Sequence, residues 1–482
     1  MPRALHRRAL AAGLALAIAV PLAACQPDAK IADPTASQSS APPPGPDYSA
    51  GRSNPVADPL YPDYGSADID VLHYGLDLAW DPKARLLSGT ATLAVRPVVA
   101  ASQMTFDFDS RLKVSAVTVD GAAAQARQKD HDLVVPAAVT ADKTVTVVIT
   151  YAGEPGPADA PMSRPDFKEG VGATVEKDGA LWTMQEPYGA FTWYPVNDHP
   201  SDEALYDFAI TAPEGWTGVA SGTYLGTEAG VSKWRSTVPV ASYVTTIAVD
   251  EFELIEEKGP HDLPLTYWVP AEFKKKFEKH LRRSPEIIEW LEDLYGPYPF
   301  ESAGVVVVGG ESAMETQQMV TFSGDGAKED MIEEVLAHEY AHQWFGDAIS
   351  PRTWKDVWLN EGFAMYTEGL WVDKERKDVT EAGLWGYWRE LDQQLRDKYG
   401  PPGDYKARDF AASNVYICPA VMLHELRKKM GGGKFDEMAR DWVQTQKNST
   451  QDRESFTKFV SERAGEDMSG FIDEWLDSKK TP

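Results

Sequence analysis

Basic residues are scarce in this chain of 482 residues, in which 47 lysines and arginines stand against 74 aspartates and glutamates. The formal net charge is therefore −27. This balance disfavours binding to nucleic acid, because a phosphate backbone is bound by a basic surface. It favours cationic partners, or it serves only to keep the protein soluble.

Only one apolar run bears on localisation, and it is LAAGLALAIAVPLAA near the N-terminus. It is too short and too rich in alanine for a membrane span. The run ends in Leu-Ala-Ala before Cys25, which resembles the lipobox of a bacterial lipoprotein, where cleavage leaves a lipidated cysteine. Residues 1–25 are therefore predicted to be a lipoprotein signal peptide, the alternative being an ordinary secretory signal with an incidental cysteine. The lipobox implies a location outside the cytoplasm, with lipid on Cys25 anchoring the protein to the bacterial cell membrane.

Cysteine is nearly absent, since the sequence contains only Cys25 and Cys418. If Cys25 carries lipid, Cys418 has no partner, so we expect no intramolecular disulfide even in an oxidising compartment. Cys418 is then expected to be a small buried hydrophobic residue and not a nucleophile.

An apolar content of 43% is ordinary for a protein whose stability comes from hydrophobic cores.

The chain after the signal peptide divides into a tether and two domains. Residues 26–60 are rich in Pro, Ser, Ala and Gly, which predicts a disordered tether. Short alternating runs between turn signals predict that residues 61–256 form an N-terminal domain of mainly antiparallel β-sheet, as a sandwich or saddle. Helical spacing dominates residues 257–482, which predicts an α+β domain that is mostly helical.

The second domain contains His338-Glu339-Tyr340-Ala341-His342 within a helical pattern. Residues four apart share one face of a helix, so both imidazoles can reach one metal ion. A catalytic Zn²⁺ has three protein ligands, and Glu339 lies where a general base is needed. Glu361 is the candidate third ligand if two helices pack side by side. The alternatives are two solvent-facing histidines and an exposed glutamate near a helix start.

The longer stretch HEYAHQWFGDAISPRTWKDVWLNEGFAMY, from His338 to Tyr366, has the gluzincin spacing. It resembles the M1 family of zinc aminopeptidases, which includes aminopeptidase N and leukotriene A4 hydrolase. The resemblance covers most of the chain and implies a thermolysin-like catalytic domain over residues 257–482. It also implies one zinc ion per chain, bound by His338, His342 and Glu361, with Glu339 as the base.

An aminopeptidase must hold the ammonium of its substrate, and carboxylates near the metal would do so by charge-assisted hydrogen bonds. The family places a GxMEN motif on an edge strand for this purpose, and Glu315 falls on its glutamate. Ser312 replaces the glycine of the motif and Thr316 replaces the asparagine. By this resemblance the candidate substrate-binding residues are Gly310, Ala313, Met314 and Glu315.

Two further residues follow from the resemblance. The segment from Thr183 to Ala190 is similar to the one that sends a glutamate or glutamine into the active site, which assigns Glu186 to the substrate ammonium. Tyr416 fits the tyrosine that opens a helix and stabilises the oxyanion. The alternatives are a surface position at a strand end for Glu186 and a core position for Tyr416. Pro419 is expected in the first turn of that helix.

The predicted function is zinc-dependent removal of N-terminal residues from peptides that have a free amino end. Two alternatives stay open at this point. The chain ends soon after the catalytic domain, which favours an open cleft and keeps a thermolysin-like endopeptidase in consideration. The other alternative is a catalytically silent, surface-anchored binding protein, although Glu339 argues against it because such a protein has no need of a base.

Overall fold

A computed structural model describes residues 46–162 and 168–482. The predicted signal peptide, its lipidation site Cys25 and residues 26–45 of the predicted tether lie outside the described residues. Asp47–Pro482 form one compact unit. None of the helices in the described part combines the length and the apolar character that crossing a bilayer requires.

Residues 47–60 pack against the fold, so the predicted tether is wrong for this part of the chain. Ser49–Gly51 form a 3-10 helix, and the Ser53 hydroxyl donates to Asp70 Oδ1 at 2.8 Å. Asp58 is buried, and its carboxylate accepts from the backbone N–H of Trp354 in the second domain at 2.7 Å. Composition missed this because buried hydrogen bonds to distant residues help to hold the segment, and composition does not reveal them.

The described part of the first domain contains fifteen strands. These are β1 Ile69–Asp81, β2 Leu86–Pro97, β3 Ala101–Asp107, β4 Lys113–Val119, β5 Ala122–Ala123, β6 Arg127–Lys129, β7 Asp132–Val139, β8 Val145–Gly153, β9 Gly172–Val175, β10 Leu181–Met184, β11 Glu203–Thr211, β12 Thr217–Ala220, β13 Thr223–Glu228, β14 Val231–Ala241 and β15 Ile247–Asp250. Successive side chains of a strand point to opposite faces of the sheet, so that Leu76 and Leu78 of β1 are buried while Asp77 between them is exposed.

The strands of this domain form three sheets. The largest has the order β13-β14-β11-β1-β2-β8-β4-β5, and only the β1–β11 pair in it is parallel. Two smaller sheets have the orders β12-β15-β10-β9 and β3-β7-β6. The prediction of a mainly antiparallel β domain is confirmed, and β10 carries the chain directly to Glu186.

The described part of the second domain combines one mixed sheet, a separate two-stranded parallel sheet and nine helices. Its strands are β16 Phe252–Lys258, β17 Pro264–Pro270, β18 Ala303–Val308, β19 Ala313–Met314, β20 Val320–Ser323, β21 Ile349–Pro351 and β22 Ser449–Gln451. Its helices are α1 Ala271–Leu281, α2 Ser284–Tyr295, α3 Ile332–His342, α4 Trp358–Glu375, α5 Glu381–Tyr399, α6 Asn414–Met430, α7 Gly432–Gln446, α8 Arg453–Ala464 and α9 Ser469–Asp477. The mostly helical α+β domain is therefore as predicted.

The mixed sheet has the order β16-β17-β18-β20-β19. The pairs β17–β18 and β18–β20 are parallel, and β18 is buried along its whole length, which explains its continuous run of valines. The predicted boundary between residues 256 and 257 falls inside β16, which pairs with β17. At the other end, β19 is the edge strand and leads directly to Glu315.

Candidate active site

Helix α3 carries both histidines of the predicted metal site on one face. The regular helix ends at His342, and the chain then continues through an irregular turn over Gln343–Asp347. Gly346 allows this turn because its φ of +131° is one that other residues rarely adopt. The hydroxyl of Tyr243, from the first domain, donates to the Gly346 carbonyl at 2.9 Å and so fixes the turn.

His338, His342 and Glu361 are brought together by the packing of α3 against α4. His338 Nε2 lies 3.2 Å from His342 Nε2, and each of these nitrogens lies 3.4 Å from Glu361 Oε2. Ligand atoms that each lie 2.0–2.1 Å from one tetrahedral ion are about 3.3 Å apart. The three atoms therefore have the spacing that a single Zn²⁺ requires, and all three side chains are buried.

The second nitrogen of each imidazole also has a partner. His338 Nδ1 lies 3.1 Å from Glu368 Oε2, and His342 Nδ1 donates to the Phe345 carbonyl at 3.0 Å. A proton on each Nδ1 would leave both Nε2 lone pairs directed at the centre of the site. Sequence reasoning missed Glu368, although its distance of two helical turns from Glu361 places both on one face of α4.

Glu361 lies in the first turn of α4, where it is buried and not exposed. The two nearby histidines hold the pKa of its carboxyl well below the usual range, although burial alone would raise it. The next residue, Gly362, lets α6 approach, because a Cβ there would lie 2.8 Å from Pro419 Cβ. Pro419 lies in the second turn of α6 and not the first, since the helix begins five residues earlier, at Asn414.

Glu339 lies in the same cleft, between the two histidines in sequence. Its carboxyl is buried, and burial raises its pKa to about 7, with smaller opposing effects from the two histidines. One oxygen each of Glu339 and Glu315 and one nitrogen of His342 lie within 4.8 Å of one another. A carboxyl with this pKa changes its protonation state near neutral pH, which general acid–base chemistry requires.

The cleft has a volume of about 500 Å³ and is lined by both domains. The first domain contributes Glu186, which follows β10 and is buried. The second contributes Glu315, whose Oε1 lies 4.0 Å from His342 Nδ1 and whose backbone carbonyl accepts from Gln343 Nε2 at 3.0 Å. Burial raises the pKa of Glu315. Two carboxyls from separate domains thus lie at one cavity with the metal-ligand set.

Of the remaining predicted site residues, three line the cleft and one lies in a turn nearby. Ala313, Met314 and Tyr416 line the cleft, and the Tyr416 ring is nearly parallel to that of His338, with centroids 6.1 Å apart. Gly310 is not among the lining residues; its carbonyl accepts from Ser323 Oγ at 2.6 Å. The structure places Gly310 in a turn before β19, and its contact with substrate stays a prediction.

Cys418 is completely buried in α6, in agreement with the sequence prediction. Burial raises the pKa of its thiol well above the usual value. A thiol in this state is a weak nucleophile, so Cys418 takes no part in the chemistry of the cleft.

Comparisons with known proteins agree with this geometry. The model of the Peptidase family M1 domain matches residues 280–475, and the model of the Peptidase M1 N-terminal domain matches residues 71–244. Glutamyl aminopeptidase from Homo sapiens is 27% identical over 285 residues, which are 54% of this chain and 29% of that protein. Aminopeptidase N from Acetobacter pasteurianus is 25% identical over 316 residues, which are 61% of this chain and 88% of that protein.

A solved structure covers more of the chain. The M1 zinc metallopeptidase from Deinococcus radiodurans, in a mutant form bound to a Tyr-Ser-Ala substrate, is 26% identical with a TM-score of 0.76. The match covers 88% of this chain and 98% of that one. By contrast, the chain spans less than a third of the length of the glutamyl aminopeptidases that it matches. The two domain models, in the expected order and with the HExxH and Glu361 ligand set intact, show that this chain belongs to peptidase family M1.

Proposed function

We propose that this protein is a zinc-dependent aminopeptidase, which removes residues from the free amino end of peptides. One observation carries the proposal: the ligand set of His338, His342 and Glu361 shares its cleft with Glu186 and Glu315. The ligand set supports hydrolysis, and the two further carboxylates support recognition of a positive charge beside it.

Three residues would hold the zinc ion, namely His338, His342 and Glu361. A zinc ion in such a site acidifies water and polarises the carbonyl that is to be attacked. The ligand atoms support zinc because imidazole nitrogen and carboxylate oxygen at this spacing suit a tetrahedral ion. The related Deinococcus radiodurans protein is described as a zinc metallopeptidase, which supports the same metal for this chain.

Glu339 is proposed as the general base. It takes a proton from the attacking water and delivers that proton to the leaving amine, so it must lose and regain a proton within one turnover. Its position supports both steps, because its carboxyl lies at the cleft beside the ligand His342 and can reach water at the ligand set.

Glu186 and Glu315 are proposed to bind the ammonium of the substrate. Both are buried, so a bound ammonium would make charge-assisted hydrogen bonds away from bulk water. A peptide with an acetylated amino end has no ammonium to form these bonds, so it should bind more weakly. Selectivity for the amino end of the substrate peptide would therefore come from Glu186 and Glu315 and not from the metal.

Tyr416 is proposed to stabilise the oxyanion of the tetrahedral intermediate. Its phenol lies in the first turn of α6 at the wall of the cleft, on the same side as His338. A phenol is a good donor to developing negative charge in a site from which water is excluded.

The protein is further proposed to be an extracytoplasmic lipoprotein, anchored to the bacterial cell membrane through Cys25. The support is the sequence alone: a basic start, a short apolar run and small residues before Cys25. Mass spectrometry of the mature N-terminus tests it, with a diacylglyceryl cysteine as the expected first residue. A mature chain that begins elsewhere would contradict the anchor and leave the enzymatic proposal unaffected.

The enzymatic proposal is tested with a pair of substrates, an aminoacyl chromogenic amide and its N-acetylated form. We expect the free amine to be cleaved at least ~100-fold faster in kcat/KM, since the blocked form loses the contacts of two charged groups. Comparable or faster cleavage of the acetylated form would exclude an aminopeptidase and support an endopeptidase. Bound zinc with no hydrolysis of either form would support a binding protein.

A further inference from the structure

Glu186 and Glu315 belong to different domains, yet the residues before them are in contact. The backbone N–H of Gln185 lies 3.4 Å from the sulfur of Met314, to which it donates. Glu186 follows Gln185 directly, and Glu315 follows Met314 directly. The spacing between the two carboxylates therefore depends on how these two segments are held against each other.

Four buried threonines connect the same two segments. The Oγ1 atoms of Thr183 and Thr246 are 3.1 Å apart, and the Oγ1 atoms of Thr246 and Thr321 are also 3.1 Å apart. This series of hydroxyls ends at Thr316, whose Oγ1 lies 2.8 Å from that of Thr321. Thr183 lies in β10, three residues before Glu186, and Thr316 follows Glu315 directly.

Each of these four hydroxyls has a hydrogen-bond partner within the fold. Thr316 donates to the Met319 carbonyl, and its Oγ1 also lies within hydrogen-bond distance of Thr321, which donates to Thr246. Thr246 in turn contacts Thr183, whose hydroxyl donates to the Ile247 carbonyl at 3.4 Å. None of the four side chains is exposed to solvent. Because water does not compete for these donors and acceptors, the network selects one relative position of the segments that carry it.

Other contacts fix the Glu315 segment at both of its sides. Gln343, next to the metal ligand His342, donates from Nε2 to the Glu315 carbonyl at 3.0 Å. The Gln317 backbone N–H donates to the Val244 carbonyl of the first domain at 2.8 Å. The segment is thus tied to the metal helix on one side and to the first domain on the other.

We propose that the chain of hydroxyls from Thr183 through Thr246 and Thr321 to Thr316 is a positioning network. It sets the distance between Glu186 and Glu315 and so the affinity for a substrate ammonium. The inference rests on the proposed function, because it assumes that these two carboxylates bind that ammonium. It also gives a role to Thr316, which replaces the asparagine of the family motif, since its hydroxyl is one end of the network.

The test compares T321V, which keeps the shape and removes the hydroxyl, with T321S, which keeps the hydroxyl. In T321V we expect KM for the free aminoacyl amide to rise ~10-fold while kcat falls much less, because the ammonium contacts are misplaced. T321S should restore most of the affinity. Zinc content should be unchanged in both variants, since the network does not touch the ligand set.

The matched control is T367V. Thr367 is equally buried, and its hydroxyl contacts the Phe363 carbonyl and the Tyr295 hydroxyl, outside the network. T183V, at the opposite end of the network, should raise KM as T321V does. An unchanged KM in folded T321V and T183V, or an equal rise in T367V, would overturn the inference.

Failure of the inference can be told apart from failure of the proposed function. If the wild-type enzyme does not prefer the free amine to its acetylated form, the proposed function is wrong. If the wild type has this preference and T321V keeps both it and the affinity, only the positioning role is wrong. If neither T321V nor T183V folds, the threonines serve stability, which also overturns the positioning role.

Discussion

Glu368 Oε2 lies 3.1 Å from His338 Nδ1, on the side of the imidazole that faces away from the metal-ligand set. The contact joins α4 to α3, the same two helices that supply the three ligands. It fixes the orientation of the ring and strengthens the basicity of Nε2. Replacing Glu368 should therefore weaken the metal without removing a ligand.

We expect Glu368→Gln to lower zinc affinity by roughly 10- to 100-fold, which competition with a chelator would measure. Activity should return when excess zinc is added, because all three ligands remain. Glu375→Gln is the control, since Glu375 lies on the same helix but pairs with Arg283. Equal zinc affinity in the two variants would contradict the role of Glu368.

Glu339→Gln should retain zinc and lose nearly all turnover. The amide keeps the size of the side chain but cannot accept the proton, so we expect kcat to fall by at least ~100-fold. Glu334→Gln is the matched control, because Glu334 lies on the same helix and pairs with Arg376 at 3.0 Å. A fully active Glu339→Gln enzyme would exclude the assignment of the base.

The buried carboxyl of Glu203 should make the stability of the protein depend on pH. Burial raises its pKa to about 7, while a hydrogen bond from Ser350 Oγ at 2.7 Å opposes the shift. The folded pKa is higher than the unfolded value of 4.5. The contribution of Glu203 to the free energy of unfolding is therefore fully present below pH 4.5 and is lost as pH rises through about 7. The full loss is roughly 3 kcal/mol.

Glu203→Gln should remove this dependence, since the amide is uncharged and retains an oxygen for Ser350. Relative to wild type, the variant should gain roughly 2 kcal/mol in unfolding free energy between about pH 5 and pH 8. Urea unfolding at the two pH values measures this difference. A difference between the proteins that does not change with pH would show that Glu203 does not titrate as expected.

The hydrogen bonds of Asp58 indicate that the segment before the first domain contributes to stability. Its carboxylate accepts backbone N–H bonds from Leu60 at 2.7 Å, Tyr61 at 3.0 Å and Trp354 at 2.7 Å. Asp58→Ala leaves these donors without an acceptor and should destabilise the protein by roughly 3 kcal/mol. Asp47→Ala, at an exposed position, should change the unfolding free energy by less than ~0.5 kcal/mol. Equal stabilities of the two variants would contradict the structural role.

Local geometry explains why the metal site could be predicted from sequence. A separation of four residues places His338 and His342 on one helical face in any regular helix. Glu361 required a further assumption, that the second helix packs against the first, and the family resemblance supplied it. Glu368 could have been found by the same rule of helical spacing.

Contacts between distant segments explain what could not be predicted. The burial of Asp58 depends on Trp354, nearly three hundred residues later, so the composition of its own segment was misleading. Likewise Gln185 and Met314 meet only because two domains pack together. The turn before β19, which contains Gly310, depends in the same way on a distant contact, since Ser323 Oγ donates to the Gly310 carbonyl.

The central claim is that cleavage begins at a free amino end, and one measurement tests it directly. A linear peptide and its N-acetylated form are incubated with the zinc-loaded enzyme, and the products are followed over time by mass spectrometry. We predict a ladder of products shortened from the N-terminus for the free peptide, and an intact acetylated peptide. Internal fragments, or similar degradation of the acetylated peptide, would contradict the claim.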